Sequence, residues 1–213
     1  MASDIEFCQS KGKIVTLSLG GGTGQVGFSS DSQAQSFATQ IWNLFLGGTS
    51  SIRPFGKAIL DGLDLDIESG KPDHYAAFVN QILSLAAPTG KKYYITAAPQ
   101  CPYPDAYIGA ALNQAPFDAV YVQFYQPSEY NFATWDNWAK TTSFNKNVKV
   151  YIGAPASADA AGTGYVNSST LANYVSQAQS KYSSFGGVMM WDMDTAFKPR
   201  VIHAKTCLLR EKH

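Results

Sequence analysis

The chain is poor in charge. Asp, Glu, Lys and Arg make up 15% of its 213 residues, and 16 basic side chains cancel 16 acidic ones. Average domains carry about 25% charged residues, so no long-range field is available to draw this chain to a polyanion. Nucleic acid and anionic membrane surfaces are therefore excluded as partners, the more so because no basic cluster occurs before the last few residues. Long apolar runs are also missing: none approaches the roughly 18 residues needed to span a bilayer. The first 13 residues lack the apolar centre of a signal peptide, so the chain is expected to be soluble and to carry no export signal. Cysteine is scarce. Cys8, Cys101 and Cys207 cannot all pair internally, and they show neither CxxC spacing nor a partnering histidine cluster. Structural zinc and a disulfide scaffold fall away, no cofactor is called for, and the three are expected as buried thiols.

What is present is apolar and aromatic: 45% hydrophobic residues and 13% aromatic rings, enough to cover one core. A single domain of this length can bury roughly 70% of its unfolded surface. Short β-branched or apolar runs alternate with longer amphipathic stretches, which is the rhythm of β/α units. The pattern predicts strands at 13–19, 60–67, 93–98, 119–125, 148–153 and 187–191, and helices at 32–46, 73–86, 105–111, 133–140 and 169–182. Asp31 and Ser168 are the expected N-caps. Phe37, Ile41, Leu44 and Phe45 recur at helical spacing and should turn one stripe toward a sheet. Parallel strands joined by such crossovers must be covered on their faces, which leaves an open doubly wound sheet or a closed barrel.

One motif favours the open sheet. Gly22-Thr23-Gly24-Gln25-Val26-Gly27 fits GxGxxG after a strand, the entry to a dinucleotide fold. Its context fails, because a helix should begin within the glycines and an acidic residue should follow about 20 residues later. Here Asp31 opens the helix and nothing acidic follows until Asp61, so the segment reads as a glycine turn.

The informative segment is Asp61-Gly62-Leu63-Asp64-Leu65-Asp66-Ile67-Glu68. Period-two alternation makes it a strand with Asp64, Asp66 and Glu68 on one face and Leu63, Leu65 and Ile67 on the other. Acids on alternate positions lie about 7 Å apart or less, and in a poorly hydrated interior they cannot all stay ionised. At least one proton must be shared along the row. A solvent-facing edge strand could tolerate three carboxylates, but the flanking aliphatics and the β/α repeat point to a central strand. Glu68, at the strand's C-terminal end, would reach the active face of a barrel, held protonated by its neighbours as a general acid requires.

These residues match the DxxDxDxE signature of glycoside hydrolase family 18, and the chain resembles the class III chitinases of plants and fungi. The likeness continues through Ser18-Leu19-Gly20-Gly21, Thr96-Ala97-Ala98-Pro99-Gln100-Cys101-Pro102, Val122-Gln123-Phe124-Tyr125 and Gly186-Gly187-Val188-Met189-Met190-Trp191, in family order, across residues 4–197. The resemblance implies a (β/α)8 TIM barrel and retaining hydrolysis of chitin or chito-oligosaccharides, with the substrate's own acetamido group as nucleophile, an exception to the two-carboxylate scheme. Glu68 would protonate the glycosidic oxygen and Asp66 would orient the acetamido N–H. Asp64 would share a proton with Asp66, and Tyr125 would bond the acetamido carbonyl. Gln123, Gly21 and Asp61 are carried over as substrate-binding residues, with Trp191 as the floor under the sugar. An extracellular location comes with the same likeness.

The chain departs from that pattern in several places. Six strands are counted where the barrel needs eight, so the expected fold is an incomplete α/β barrel of about six β/α units across residues 1–197, beginning at the end of helix two. Its first and last strands should be parallel edges. Residues 198–213 match no family block and form an atypical basic tail. Related plant enzymes pair the cysteine at Cys101 with one after the QFY block, where this chain has Gln126-Pro127-Ser128-Glu129, so Cys101 is expected as a thiol. Asn167-Ser168-Ser169 is a glycosylation sequon. Two other readings of the same residues stay open, a lectin or inhibitor using the barrel without catalysis and a fragment without function.

Overall fold

In the computed structural model, which describes residues 1–24, 26–124 and 132–197, six parallel strands lie side by side in chain order. After a helix α1 (Ala2–Ser10) come β1 (Thr16–Gly20), α2 (Asp31–Phe45), β2 (Gly62–Asp66), α3 (Tyr75–Ala86), β3 (Tyr94–Ala97) and α4 (Gly109–Gln114). Then follow β4 (Ala119–Gln123), α5 (Phe132–Thr141), β5 (Lys149–Pro155), α6 (Ser168–Lys181), β6 (Phe185–Trp191) and a short α7 (Met193–Ala196). Sequential parallel order with a helix after each strand is the α/β barrel progression, here with β1 and β6 at the edges of the described sheet.

The alternation in β2 sets the two faces of the sheet. Leu63, Leu65 and Ile67 are fully buried toward the helices, where each contributes about 1.5–3 kcal/mol. Burial of that size on one face is what offsets the cost of seating Asp64, Asp66 and Glu68 on the other. Phe28, Phe37, Tyr75 and Phe78 pack ring on ring between α2 and α3, with centroids 5.2 to 5.9 Å apart. Trp135 and Trp138 of α5 meet edge to face at 5.5 Å, so both are packing residues.

Several local expectations shift. The N-caps are Ser30 and Asn167, one residue before those expected, because their side chains reach the free N–H groups of Gln33 and Thr170. The helix expected at 105–111 is instead a turn followed by α4. The buried Asp105 carboxylate takes the N–H groups of Gln100, Tyr107 and Ile108, and helical geometry begins only after them. Cys101 is a buried thiol, as its sequence context implies, whereas Cys8 is disulfide-bonded, against the expectation of three thiols. The glycine segment beginning at Gly22 leads into no helix N-terminus, since α2 starts at Asp31. Tyr125 and the tail at 198–213 lie outside the described residues.

Candidate active site

Parallel strands in register bring their C-terminal ends to one side, and the chemistry gathers there. Asp66 is the last residue of β2 and Glu68 follows two positions on; Gln123 ends β4 and Trp191 ends β6. A cleft of about 450 Å³ opens among them, lined by Asp64, Asp66, Glu68, Gln123 and Trp191 together with Tyr121 and Met189. Trp191 is 49% exposed, as a platform for a ligand must be and a core tryptophan is not. A smaller hollow of about 130 Å³ between α5 and α6 holds Phe132, Tyr174 and Tyr182 and no carboxylate.

The three acids differ in surroundings. Asp64 is the deepest at 7% exposure, and both of its oxygens accept hydroxyl protons, from Ser18 at 2.7 Å and from Thr96 at 2.7 Å. Strand register explains this, since Ser18 and Thr96 flank Asp64 on β1 and β3. Burial pushes the Asp64 carboxyl upward, and the two hydroxyls oppose the shift. Asp66 is raised to about 7, first by burial, then by the charges of Glu68 and Asp64 and a hydrogen bond with Glu68, against a lowering bond from Gln123. Asp66 is thus the acid that burial and its neighbours bias toward the protonated form, in a hydrogen bond to Glu68. The Asp64 oxygens accept one hydroxyl each, from Ser18 and Thr96, and the Asp64 charge adds to the upward shift of Asp66. The Gln123 amide nitrogen ties the row together, donating to Asp66 at 3.1 Å, to Glu68 at 3.3 Å and to the Ala98 carbonyl at 2.9 Å.

Glycine keeps β1 close to this row. Gly20 has φ +107°, and a Cβ there would lie 2.1 Å from the Asp66 carbonyl oxygen, so no side chain fits. Gly21 donates its N–H to that same oxygen at 2.7 Å and faces the Asp66 carboxyl, which puts it at the cleft's rim. Gly22, beside the Glu68 carboxyl, lines the cleft itself.

Asp61 is the correction. It precedes β2, at the opposite end of the strand from Glu68, and accepts from the Val15 N–H at 3.0 Å and the Gln9 amide at 2.9 Å while pairing with Lys91 at 2.9 Å. Burial raises its carboxyl, but the Val15, Lys91 and Gln9 contacts outweigh it and hold the group below the usual carboxylate range. Asp61 therefore pins α1 and β1 to the base of β2 rather than touching a ligand. Sequence reasoning also passed over Ser18, Thr96 and Tyr121 as site residues. Period-two counting against the Asp64 row was the available signal, because it puts all three on the acid face.

Among the described residues no group of three or more His, Cys, Asp and Glu side chains is arranged to hold a metal ion. An acid held near neutrality, bonded to a second acid at a cleft mouth beside an exposed tryptophan, suits proton transfer to a sugar link.

Known proteins carry the same framework. The chain is 54% identical over 203 residues to Chitinase 2 of Rhizopus oligosporus, a match covering 92% of this chain and 37% of that protein, so it spans little more than a third of that relative's length. The crystal structure of the ICChI chitinase from Ipomoea carnea superposes with a TM-score of 0.81 at 39% identity, covering 90% of this chain and 72% of that one. The xylanase and α-amylase inhibitor protein XAIP-II from Scadoxus multiflorus superposes with a TM-score of 0.77 at 38% identity, covering 88% and 72%. Residues 2–170 match the model of the glycosyl hydrolases family 18, and with the acid row of β2 in place the chain belongs to that family.

Proposed function

We propose that this chain performs the proton-transfer chemistry of a chitinase, cleaving β-1,4-linked N-acetylglucosamine in chitin or chito-oligosaccharides with retention of configuration. The observation that carries the reading is the Asp66–Glu68 pair: a carboxyl raised to about 7 and hydrogen-bonded to the acid at the strand end, inside a cleft floored by an exposed tryptophan. In this reading the proton held in the Asp66–Glu68 hydrogen bond passes to Glu68 and from there to the glycosidic oxygen as the C–O bond breaks, leaving Asp66 ionised. The carbonyl oxygen of the substrate's acetamido group closes on the anomeric carbon, forming an oxazolinium ion. Asp66, turned toward the acetamido N–H, stabilises the positive charge. Water then attacks the anomeric carbon, loses a proton to Glu68 and reopens the ring, which restores the starting state.

Trp191 would lie under the pyranose at the cleavage point and Gln123 would position the acetamido group, with Tyr125 as its further hydrogen-bond partner. Such a substrate places the protein's work outside the cell. Hydrolysis of a chito-oligosaccharide by the chain and by Glu68→Gln tests the proposal: removing the general acid should lower the rate at least about a hundredfold, and equal rates would sink it.

The inhibitor neighbour supports a second reading, a binding protein without turnover. It would show as sugar-dependent quenching of tryptophan fluorescence that is equal in both proteins, with hydrolysis in neither.

A further inference from the structure

The glycine run that follows β1 is tied to the acid row. Gly21-Gly22-Thr23-Gly24 is a tight turn, closed by the Gly24 N–H donating to the Gly21 carbonyl at 2.9 Å. Both ends of the turn are bonded to the segment that carries Glu68. At one end the Gly21 N–H donates to the Asp66 carbonyl at 2.7 Å, and at the other the Ser69 hydroxyl donates to the Gly24 carbonyl at 3.1 Å. Glu68 lies between those two attachments, so turn and segment close into one ring. Glycine is required at Gly24, where a Cβ would stand 2.1 Å from the Gly20 carbonyl oxygen. In the middle of the turn Gly22 faces the Glu68 carboxyl, and a Cβ there would lie 3.5 Å from Oε2. The other oxygen, Oε1, takes the Gln123 amide at 3.3 Å. The carboxyl is thereby held on one side by β4 and bounded on the other by the turn.

We infer that Ser69 is a positioning residue that acts through this turn: its hydroxyl holds Gly22 against Oε2 of Glu68 and so fixes the direction in which that carboxyl meets a ligand. The inference rests on the proposed role of Glu68 for its consequence, since a fixed direction matters to an acid that must reach one oxygen of a bound sugar. The chain beyond the turn is anchored separately. Buried Tyr75 donates its hydroxyl to the Val26 carbonyl at 2.6 Å, and His74 Nδ1 lies 2.6 Å from Asp31 Oδ1. Phe28 is buried against Phe37, Tyr75 and Phe78. Loss of the Ser69 hydroxyl therefore frees the turn and leaves the connection to α2 pinned.

Ser69→Ala should speed amide exchange at Gly21 and Gly24 by roughly tenfold and leave β2 to β4 unchanged, because the ring opens locally. On a chito-oligosaccharide the same variant should lose roughly tenfold in kcat with KM within about twofold, since a misdirected acid slows the chemical step and spares the sugar's contacts. Ser69→Thr keeps the hydroxyl and should restore both values. Ser69→Cys, whose S–H is a weak donor, repeats the test should the alanine variant not fold. Unchanged exchange at Gly21 and Gly24 overturns the assignment. So does a loosened turn with kcat intact, or exchange that rises equally in every strand, which is the signature of a purely structural role. The exchange measurement uses no sugar, so a parent chain without hydrolysis would remove the proposed function, and the exchange result would then decide alone whether Ser69 holds the turn.

Discussion

An aspartate raised to about 7 makes the folded protein sensitive to pH in a direction opposite to most carboxylates. The folded state holds a proton on Asp66 that the unfolded chain, titrating near 3.8, gives up. Stability from this group is therefore complete below about pH 4 and is lost as pH climbs through 7. Asp64, raised by burial, acts in the same sense. Replacing Asp66 by Asn removes the ionisation, so the drop in unfolding temperature between pH 4 and pH 8 should be smaller in Asp66→Asn than in the parent. Scanning calorimetry of both proteins across that window measures it, and parallel curves would contradict the assignment. The acids themselves were legible in the sequence because a strand's alternation needs no partner to be seen. How far Asp64 and Asp66 are raised was not legible, since Ser18, Thr96 and Gln123, which oppose the shifts, come from three other strands. Asp61 misled because its motif membership hides its distance, a whole strand length from the acid that ends the same motif.

Among the elements, α2 shows how a helix end is secured by more than the glycine pair that follows it, where Gly48 donates to the Trp42 carbonyl at 3.2 Å. The Arg53 guanidinium, in the loop leading to β2, donates to the carbonyls of Asn43, Leu46, Gly48, Gly56 and Ala58 at 2.7 to 3.2 Å. A positive charge here also faces the negative end of the helix dipole. Arg53→Ala leaves several partly buried carbonyls without a donor and should cost about 2–4 kcal/mol in chemical denaturation. Arg53→Lys should recover less than half of that, because an ammonium cannot spread its donors in a fork. Full recovery by lysine would show that charge alone matters. Helices and strands were visible in the pattern where apolar periodicity was strong, as in α2, α3 and β2. The strand expected at 187–191 begins two residues earlier, at Phe185, because pairing with β5 continues through Gly186 and Gly187, which offer no apolar side chain to signal it. Their purpose is to leave room for Tyr151, which only cross-strand packing reveals. The residues before α4 misled in the converse way, an acidic N-terminal signal at Asp105 spent on a turn.

Across the whole molecule, burial is uneven, and the unevenness follows the sheet. Leu63, Leu65, Ile95, Val120, Val122 and Val150 on β2 to β5 are all at or below 1% exposure, whereas β6 has no fully buried residue and Met190 is 50% exposed. The covering helices follow suit: α3 buries Tyr75, Phe78, Val79, Ile82 and Ala86, while α6 buries only Ala178 and α1 only Ile5. The acid pair and Gln123 therefore stand on the best-packed strands, and Trp191 stands on a strand with one paired edge among the described residues. Local opening draws on elements with few buried contacts, so the two parts of the site should differ in motion. Native-state amide exchange should be slowest in β2 through β4 and faster by on the order of a hundredfold or more in 188–191, a gap of about 3 kcal/mol in opening free energy. Binding of a chito-oligosaccharide across Trp191 should narrow that gap by slowing exchange in β6 while leaving β2 unchanged. Uniform protection of all six strands in the unliganded protein would show instead that the sheet opens as one unit and that Trp191 is held as rigidly as the acid row.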